Sequence, residues 1–336
     1  MMRIVVVGTG PIGGIIGGRL ARVGQNMTFV DIDKEHVAAI RKSGLHLDVP
    51  DGPFKVKVPI CFPSEIRGKI DIAFIAVRSN YTLDALSTVM PYIDDNGLLV
   101  SLQNGINLPI LEEKVTPDRA IGVAIRMGSQ RTAPAYLYTQ TRGHLYIGHL
   151  HGKTTPQLQK VHKLLDSVIP SEISDNIQGV LWSKLTYTCL GYFGSLADLA
   201  LATSCLEEGV RCALVEFLGE VVAVGKAVGA RFVPLAEYNP SELNPEISLD
   251  KRLAVVNEMA KSWKLDDRNG PLRQIQQGIK TEVDYTLAHV VREGIRVNIS
   301  TPLCRKVLTL IHDLESGKRR LNAGNYEELT TALTCN

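Results

Sequence analysis

"VVVGTGPIGG" (residues 5–14) runs an apolar stretch into a glycine-rich turn, and its reading decides the fold of the chain. Gly8, Gly10 and Gly13 stand in G-x-G-x-x-G spacing, with Pro11 and Ile12 between the last two. At this spacing the first glycine permits a tight turn, the second lets backbone approach a pyrophosphate, and the third allows close helix–strand packing. The amino terminus of the following helix then faces the phosphates. The spacing alone says little, so its surroundings carry the argument. "RIVVVG" (3–8) reads as a buried strand, "PIGGIIGGRLARVG" (11–24) as a helix ending at Gly24, and "MTFVDI" (27–32) as a second strand. Asp31, at the end of that strand, lies about 20 residues past the turn, as a dinucleotide-binding unit requires. A carboxylate there accepts hydrogen bonds from ribose hydroxyls and repels a 2′-phosphate, so NAD is favoured. Lys34 and Arg41 nearby leave NADP open. This context argues against a glycine turn in an unrelated α/β protein. The full spacing and the helical region downstream argue against methyl transfer from S-adenosylmethionine, whose enzymes use related turns.

The alternation of strands and helices continues. Asp33 is placed to cap a helix from about Lys34 to Lys42. "HLDV" and "FKVKV" around Asp51-Gly52 predict a hairpin insertion. "DIAFIAV" (71–77) and "GLLVSL" (97–102) are continuous apolar runs, as in parallel strands covered on both faces. A helix over 82–90 separates them, and 120–150 reads as further strands. Beyond about residue 175 the period becomes helical, over 176–201, 207–228 and 274–293, the last two stopping at Gly229 and Gly294. The stretch 234–271 reads as a loop with a short helix near 250–261. The expected fold class is therefore α/β, a Rossmann-like doubly wound parallel sheet followed by an all-helical carboxyl-terminal domain. The expected domains are 1–172, for the dinucleotide, and 173–336, for substrate and dimerisation.

Composition narrows the function classes. The 336 residues suit two domains, and 45% hydrophobic with 21% charged residues is ordinary for a globular enzyme. A net charge of +2 without a basic tract points to neither nucleic acid nor an anionic membrane as a partner. The early uncharged run, Ile4 to Gly18, is too short for a membrane span of about 20 residues. No ordered signal-peptide regions open the chain. Six cysteines without a C-x-x-C pair read as free thiols in a reducing compartment, which gives cytoplasm as the expected location. His144, His149 and His151 have no acidic or cysteine partner at metal-ligand spacing, so no metal is expected.

Chemistry concentrates elsewhere. Arg78 follows "DIAFIAV" and Asn104 sits in "QNG" after "GLLVSL", at strand ends where open α/β sheets bind ligands. A solvated helix start and an ordinary turn residue are the competing readings. In "WSKLTYT" (182–188), Lys184 interrupts an apolar helix. Ile177, Leu181, Leu185, Tyr192, Leu196 and Leu199 form a stripe, and Lys184, Thr188, Gly191 and Ser195 a neighbouring small and polar line. Such a lysine either snorkels to water or, partly buried, trades a proton with a ketone oxygen as hydride is transferred. Glu220 and Glu282, each in an apolar helical pattern, both need a partner. A structural partner is expected for Glu220, while the pattern leaves Glu282 undecided.

Together, "GTGPIGG", "QNG" (103–105), "LWSKL" (181–185), "EVVAVGKAVG" (220–229) and "KTEVDY" (280–285) resemble the ketopantoate reductase family (2-dehydropantoate 2-reductases) over nearly the whole chain. The resemblance implies Lys184 as general acid, Glu282 as a contributor to the active site, and Asn104 beside nicotinamide and substrate. It implies a two-domain fold and commonly a homodimer. Departures fall on the substrate side. Arg78 replaces a usual lysine, Thr188 and Tyr192 replace two asparagines, and "NGP" (269–271), with Asn269, replaces a usual serine. In the family those positions contact ketopantoate, and most members use NADPH. The expected function is hydride transfer between NAD(H) and a 2-hydroxy acid/2-oxo acid pair other than pantoate, with Arg78, Thr188, Tyr192 and Asn269 reading the substrate. The alternatives are an NADPH-dependent 2-dehydropantoate 2-reductase and a dinucleotide-binding sensor without turnover.

Overall fold

The computed structural model describes residues 2–235, 238–261, 263 and 268–334. The chain divides into two compact units, Met1–Ile177 and Gln178–Asn336.

The first unit is built on the apolar runs. Its elements are β1 (Arg3–Val7), α1 (Pro11–Arg22), β2 (Asn26–Val30), α2 (Lys34–Ser43), β3 (Leu45–Asp48), β4 (Phe54–Val56), β5 (Ile60–Cys61), β6 (Ile70–Ile75), α3 (Thr82–Val89), β7 (Ile93–Ser101), α4 (Leu108–Glu112), β8 (Ala120–Arg126), β9 (Gln130–Ala133), β10 (Tyr136–Tyr138), β11 (His144–Gly148), α5 (Pro156–Asp166) and β12 (Ser171–Ile173). The main sheet has the order β12-β11-β8-β7-β6-β1-β2-β5, parallel at every pairing except β11 on β8. Ile4, Val6, Phe29, Ile72, Phe74 and Val100 are buried in its core, each contributing about 1.5–3 kcal/mol relative to exposure. The carboxyl ends of β1, β6 and β7 therefore lie along one edge.

The expected hairpin is present as β3 and β4, with Gly52 at φ +97° in the turn. It does not stand alone. β10 pairs with β3 in parallel and β9 with β10 antiparallel, making a second sheet, β4-β3-β10-β9. The strand signals over 120–150 thus divide between two sheets, a partition that side-chain alternation does not encode.

The second unit is helical: α6 (Ile177–Phe193, beginning at the junction), α7 (Leu201–Ser204), α8 (Glu208–Ala227), α9 (Leu249–Ala260), α10 (Gly270–Gln276), α11 (Leu287–Arg296), α12 (Pro302–Glu315) and α13 (Glu327–Thr334). Gly229, at φ +84°, takes the left-handed position after α8, as its sequence position suggests. Two expectations need correction. The helix expected over 176–201 ends at Phe193, where Gly194 packs so closely that a Cβ would lie 3.0 Å from Asn269 and 3.1 Å from Leu201. The helix expected over 274–293 is two helices, because Gly278 at φ +67° breaks the ladder and Thr281 gives its N–H to Glu315 (2.7 Å). Gly294 consequently lies inside α11, and Asn298 (φ +56°) takes the left-handed position after that helix.

Candidate active site

In the first unit, the glycine turn joins β1 to α1. Gly8 adopts φ +91°, and a Cβ there would sit 2.9 Å from the backbone of Ala76 and Val77, at the end of β6. A Cβ on Gly13 would lie 2.1 Å from the Gly8 carbonyl oxygen, so these two glycines are demanded by the protein's own packing. Gly10 differs, since a Cβ there meets nothing within 4 Å. Its open side is what close approach of a pyrophosphate needs. Pro11 occupies the first helical position and the half-buried Ile12 the second.

Thr9 is fixed on both sides. Its N–H donates to Asp31 Oδ2 (2.7 Å), and Asp31 Oδ1 accepts from the Asp33 N–H (3.0 Å). The Asp31 carboxylate is half-buried and keeps its remaining lone pairs for donors such as ribose hydroxyls. The Thr9 carbonyl is 2.9 Å from Nε2 of the fully buried His36, whose Nδ1 accepts the Ala135 N–H at 3.0 Å. Nε2 must therefore carry the proton. Asp33 caps α2 through His36 N–H (3.0 Å) and pairs with Arg131 at 2.7 Å. His36 and Arg131 were not legible in advance, because nothing local in the sequence brings 131–135 to the start of α2.

Arg78 and Asn104 are both exposed, at the ends of β6 and β7. Their two loops are tied together. Ser79 Oγ donates to the Asn104 carbonyl (3.0 Å), as does Asn107 Nδ2 (2.6 Å). Gln103 Nε2 donates to the Val77 carbonyl (3.1 Å) and to Thr82 Oγ (2.7 Å). Ser79, Thr82, Gln103 and Asn107 are all buried, so this network is dry and sets the backbone beneath the two exposed side chains. The structure thus gathers Gly8, Gly10, Gly13, Asp31, Arg78 and Asn104 at one edge of the sheet.

In the second unit, α6 is buried around most of its circumference. Over Val180–Phe193 its accessible residues are Lys184, Tyr187, Thr188 and Gly191, which share one arc of the helix. Lys184 is half-buried as a residue, and burial lowers its pKa from 10.5 to about 8. The Glu282 carboxylate acts in the opposite direction, raising it. Thr188 Oγ donates to the Lys184 carbonyl at 3.1 Å. Asn269 caps α10 through Leu272 N–H (2.8 Å) and lies against Gly194 at the end of α6. Pro271 similarly lies over Gly191, where a Cβ would be 3.5 Å from its ring.

One position of the expected polar line, Ser195, and one expected substrate contact from the apolar stripe, Tyr192, turn inward. Ser195 lies beyond the helix, fully buried, and its hydroxyl donates to the Tyr192 carbonyl at 2.9 Å. Tyr192, expected to present a ring to substrate, is 2% exposed, and its hydroxyl is 2.8 Å from Thr286 Oγ. That burial leaves no ring surface for a ligand. The exposed aromatic on this arc is Tyr187, at 53%. Its place three residues after Lys184 was a readable signal.

Other candidates have structural explanations. The Glu220 carboxylate accepts the N–H groups of Leu303 (2.9 Å) and Cys304 (2.8 Å) and so caps α12. Burial raises its pKa, and these two donors offset part of that rise. His149 is buried with both ring nitrogens engaged, by the Ala120 carbonyl (2.8 Å) and Thr155 hydroxyl (2.9 Å). His151 pairs with Asp118, and His144 with Glu172. Cys61, Cys189, Cys205, Cys212 and Cys304 are free thiols, and Cys335 lies outside the described residues. Among the described residues no helix is long and apolar enough to cross a membrane.

Comparison with known proteins covers both units. Residues 4–152 match the family model for Ketopantoate reductase PanE/ApbA, and residues 176–315 that for Ketopantoate reductase PanE/ApbA C terminal. A 2-dehydropantoate 2-reductase of Pyrococcus horikoshii is 26% identical over 320 residues, 94% of this chain and 98% of that one. The crystal structure of a PanE/ApbA family ketopantoate reductase from Ralstonia eutropha JMP134 superposes with a TM-score of 0.81 at 24% identity, covering 95% of this chain and 100% of the other. The ternary structure of D-mandelate dehydrogenase with NADH and anilino(oxo)acetate shares the fold too, with a TM-score of 0.78 at 19% identity over 94% and 99% of the two chains. On the two matched segments, which together span most of its length, the chain belongs to the ketopantoate reductase family, whose members are NAD(P)-dependent oxidoreductases acting on CH–OH groups.

Proposed function

We propose that this chain transfers hydride between NAD(H) and a 2-hydroxy acid/2-oxo acid pair other than pantoate, with Lys184 as general acid and base. The observation that carries the reading is Lys184 itself, the lysine on the one accessible arc of a helix buried around most of its circumference, with a pKa brought to about 8 by burial and Glu282 in electrostatic reach. Reducing a ketone places negative charge on its oxygen, which then takes a proton; a lysine near pH 8 gives it and, in reverse, accepts it. A bound nicotinamide dinucleotide supplies or takes the hydride. Gly8, Gly10, Pro11, Ile12 and Gly13 hold its phosphates, Asp31 its ribose, and Asn104 its nicotinamide end. Arg78 forks onto the substrate carboxylate, which a lysine at that position grips only as a point charge.

The groups beside Lys184 support a less polar substrate side chain. The single hydroxyl proton of Thr188 is donated to the Lys184 carbonyl, so toward a ligand it offers only an acceptor and a methyl. The Asn269 side-chain oxygen is engaged in capping α10, and Tyr192 is buried. A hydroxyl such as ketopantoate's that loses a partner costs about 1–3 kcal/mol. The exposed ring of Tyr187 instead offers an apolar surface, suited to an aromatic or branched side chain. A solved structure that shares the fold, D-mandelate dehydrogenase with NADH and anilino(oxo)acetate, supports this reading. We place the protein in the cytoplasm as a homodimer, which light scattering after size exclusion would test.

Absorbance at 340 nm with NADH or NADPH and a panel of ketopantoate, phenylpyruvate, benzoylformate and branched 2-oxo acids tests the proposal. An aromatic or branched acid with NADH should give the highest kcat/KM, and Lys184→Ala should lower turnover by about 10²- to 10⁴-fold. The second reading, an NADPH-dependent 2-dehydropantoate 2-reductase, has the Pyrococcus relative in its favour. It replaces the first if ketopantoate with NADPH wins. No turnover with any acid leaves a dinucleotide sensor.

A further inference from the structure

Glu282 lies between Gly278 at φ +67° and the start of α11, at the head of a single 3-10 turn (Val283–Tyr285) in which the Tyr285 N–H donates to the Glu282 carbonyl at 3.0 Å. Side chains fasten the segment further. On one side the Thr281 N–H and hydroxyl both donate to Glu315 of α12, each at 2.7 Å. On the other, Thr286 Oγ donates to the Glu282 carbonyl at 2.7 Å. A threonine hydroxyl has one proton, so the Tyr192 hydroxyl, 2.8 Å away, donates to Thr286 Oγ. Tyr192 and Thr286 are 2% and 0% exposed, and a phenylalanine would fill the same volume without a buried hydroxyl needing a partner.

We propose that Tyr192 and Thr286 are positioning residues, a hydroxyl relay from α6 that holds Glu282 within electrostatic reach of Lys184. The proposal rests on the reading of Lys184 given above. The other charged groups on and around this segment are the exposed Lys280, Asp284, paired with His312 of α12, Arg292 of α11 on the Asp284 carbonyl, and Glu315 on Thr281. Asp284, Arg292 and Glu315 are each engaged with a partner other than Lys184.

The test is the titration of the Lys184 ammonium, followed by NMR in full-length protein carrying ¹³C-labelled lysine and assigned by the signal lost in Lys184→Met. Tyr192→Phe and Thr286→Val should each move that titration to lower pH, less far than Glu282→Gln does, with NADH affinity unchanged. Thr286→Ser, which keeps the hydroxyl, should restore it. In a Glu282→Gln background, Thr286→Val should have no further effect, because the relay acts only through Glu282. An unmoved Lys184 titration in Tyr192→Phe and Thr286→Val, or an equal shift in the Glu282→Gln background, overturns the relay even if the enzyme reading stands. Conversely, absence of turnover in the unmodified protein overturns that reading while the titration still decides the relay.

Discussion

Raising the pH from 7 to 9 should separate a proton-donating Lys184 from a merely solvated one. Burial holds its ammonium at about 8, against 10.5 ordinarily, and Glu282 draws it partway back. A group titrating at about 8 is protonated in about nine molecules of ten at pH 7 and about one of ten at pH 9. The kcat/KM for reducing a 2-oxo acid should therefore fall about tenfold across that interval. Oxidation of the hydroxy acid, which needs the free amine, should rise by about the same factor. A lysine titrating at its ordinary value would remain more than about 95% protonated, so reduction would stay nearly flat, while its scarce free amine, and any oxidation that used it, would rise about a hundredfold. Initial rates at saturating dinucleotide, measured from pH 6 to pH 10 at constant ionic strength, give both limbs. Glu282→Gln removes an attraction that favours the ammonium, so the alkaline limb should move to lower pH. A reduction rate flat to pH 9.5, or a limb indifferent to Glu282→Gln, would refute the assignment.

The same lysine affects stability. Its folded pKa lies below its unfolded one, so the unfolded chain binds more protons between about pH 8 and 10.5, and this group's contribution to stability rises with pH across that window. Lys184→Met should accordingly raise Tm most below pH 8, with the gain vanishing toward pH 10.5; differential scanning calorimetry at pH 7 and pH 10 checks it. Asp31→Ser should narrow the preference for NADH over NADPH, read by fluorescence transfer to the nicotinamide, and lower Tm because Thr9 and Asp33 lose a charged acceptor. Tighter NADPH binding by the unmodified protein would remove the basis for NAD. The glycines should divide cleanly. Gly10→Ala, at φ −67° with open space around its Cβ, should fold at least as stably as the parent yet bind NADH weakly. Gly13→Ala, 2.1 Å from a backbone oxygen, should lose stability outright.

Much of the fold could be read from short-range signals. The buried runs of β1, β6 and β7, the Asp33 cap and the stop at Gly229 are each decided by a few adjacent residues. What failed was long-range. The helical period over 274–293 continues in sequence across Gly278, but the backbone leaves the helix there, and Glu315, distant in the chain, takes the Thr281 N–H. The second sheet depends likewise on β10 returning to β3, a pairing without local cause.

The candidate site divides along the same line. Exposed groups at strand ends, Arg78 and Asn104, follow from where apolar runs stop, and the family motif identifies Lys184 and Glu282. A helical wheel places Lys184 and Thr188 on one face but cannot tell which neighbouring face is covered. Tyr192 is separated from Lys184 by eight residues, and eight steps of 100° turn it about 80° away from the lysine. That angle suits either the edge of an exposed groove or the flank of the core, and only the packing of α6 against the Thr286 segment decides between them. A tyrosine hydroxyl in the core must find a partner, so burying Tyr192 also commits Thr286, and through Thr286 the backbone of Glu282. On the proposed reading, a residue expected to face substrate serves instead to fix the backbone of Glu282, whose charge acts on Lys184.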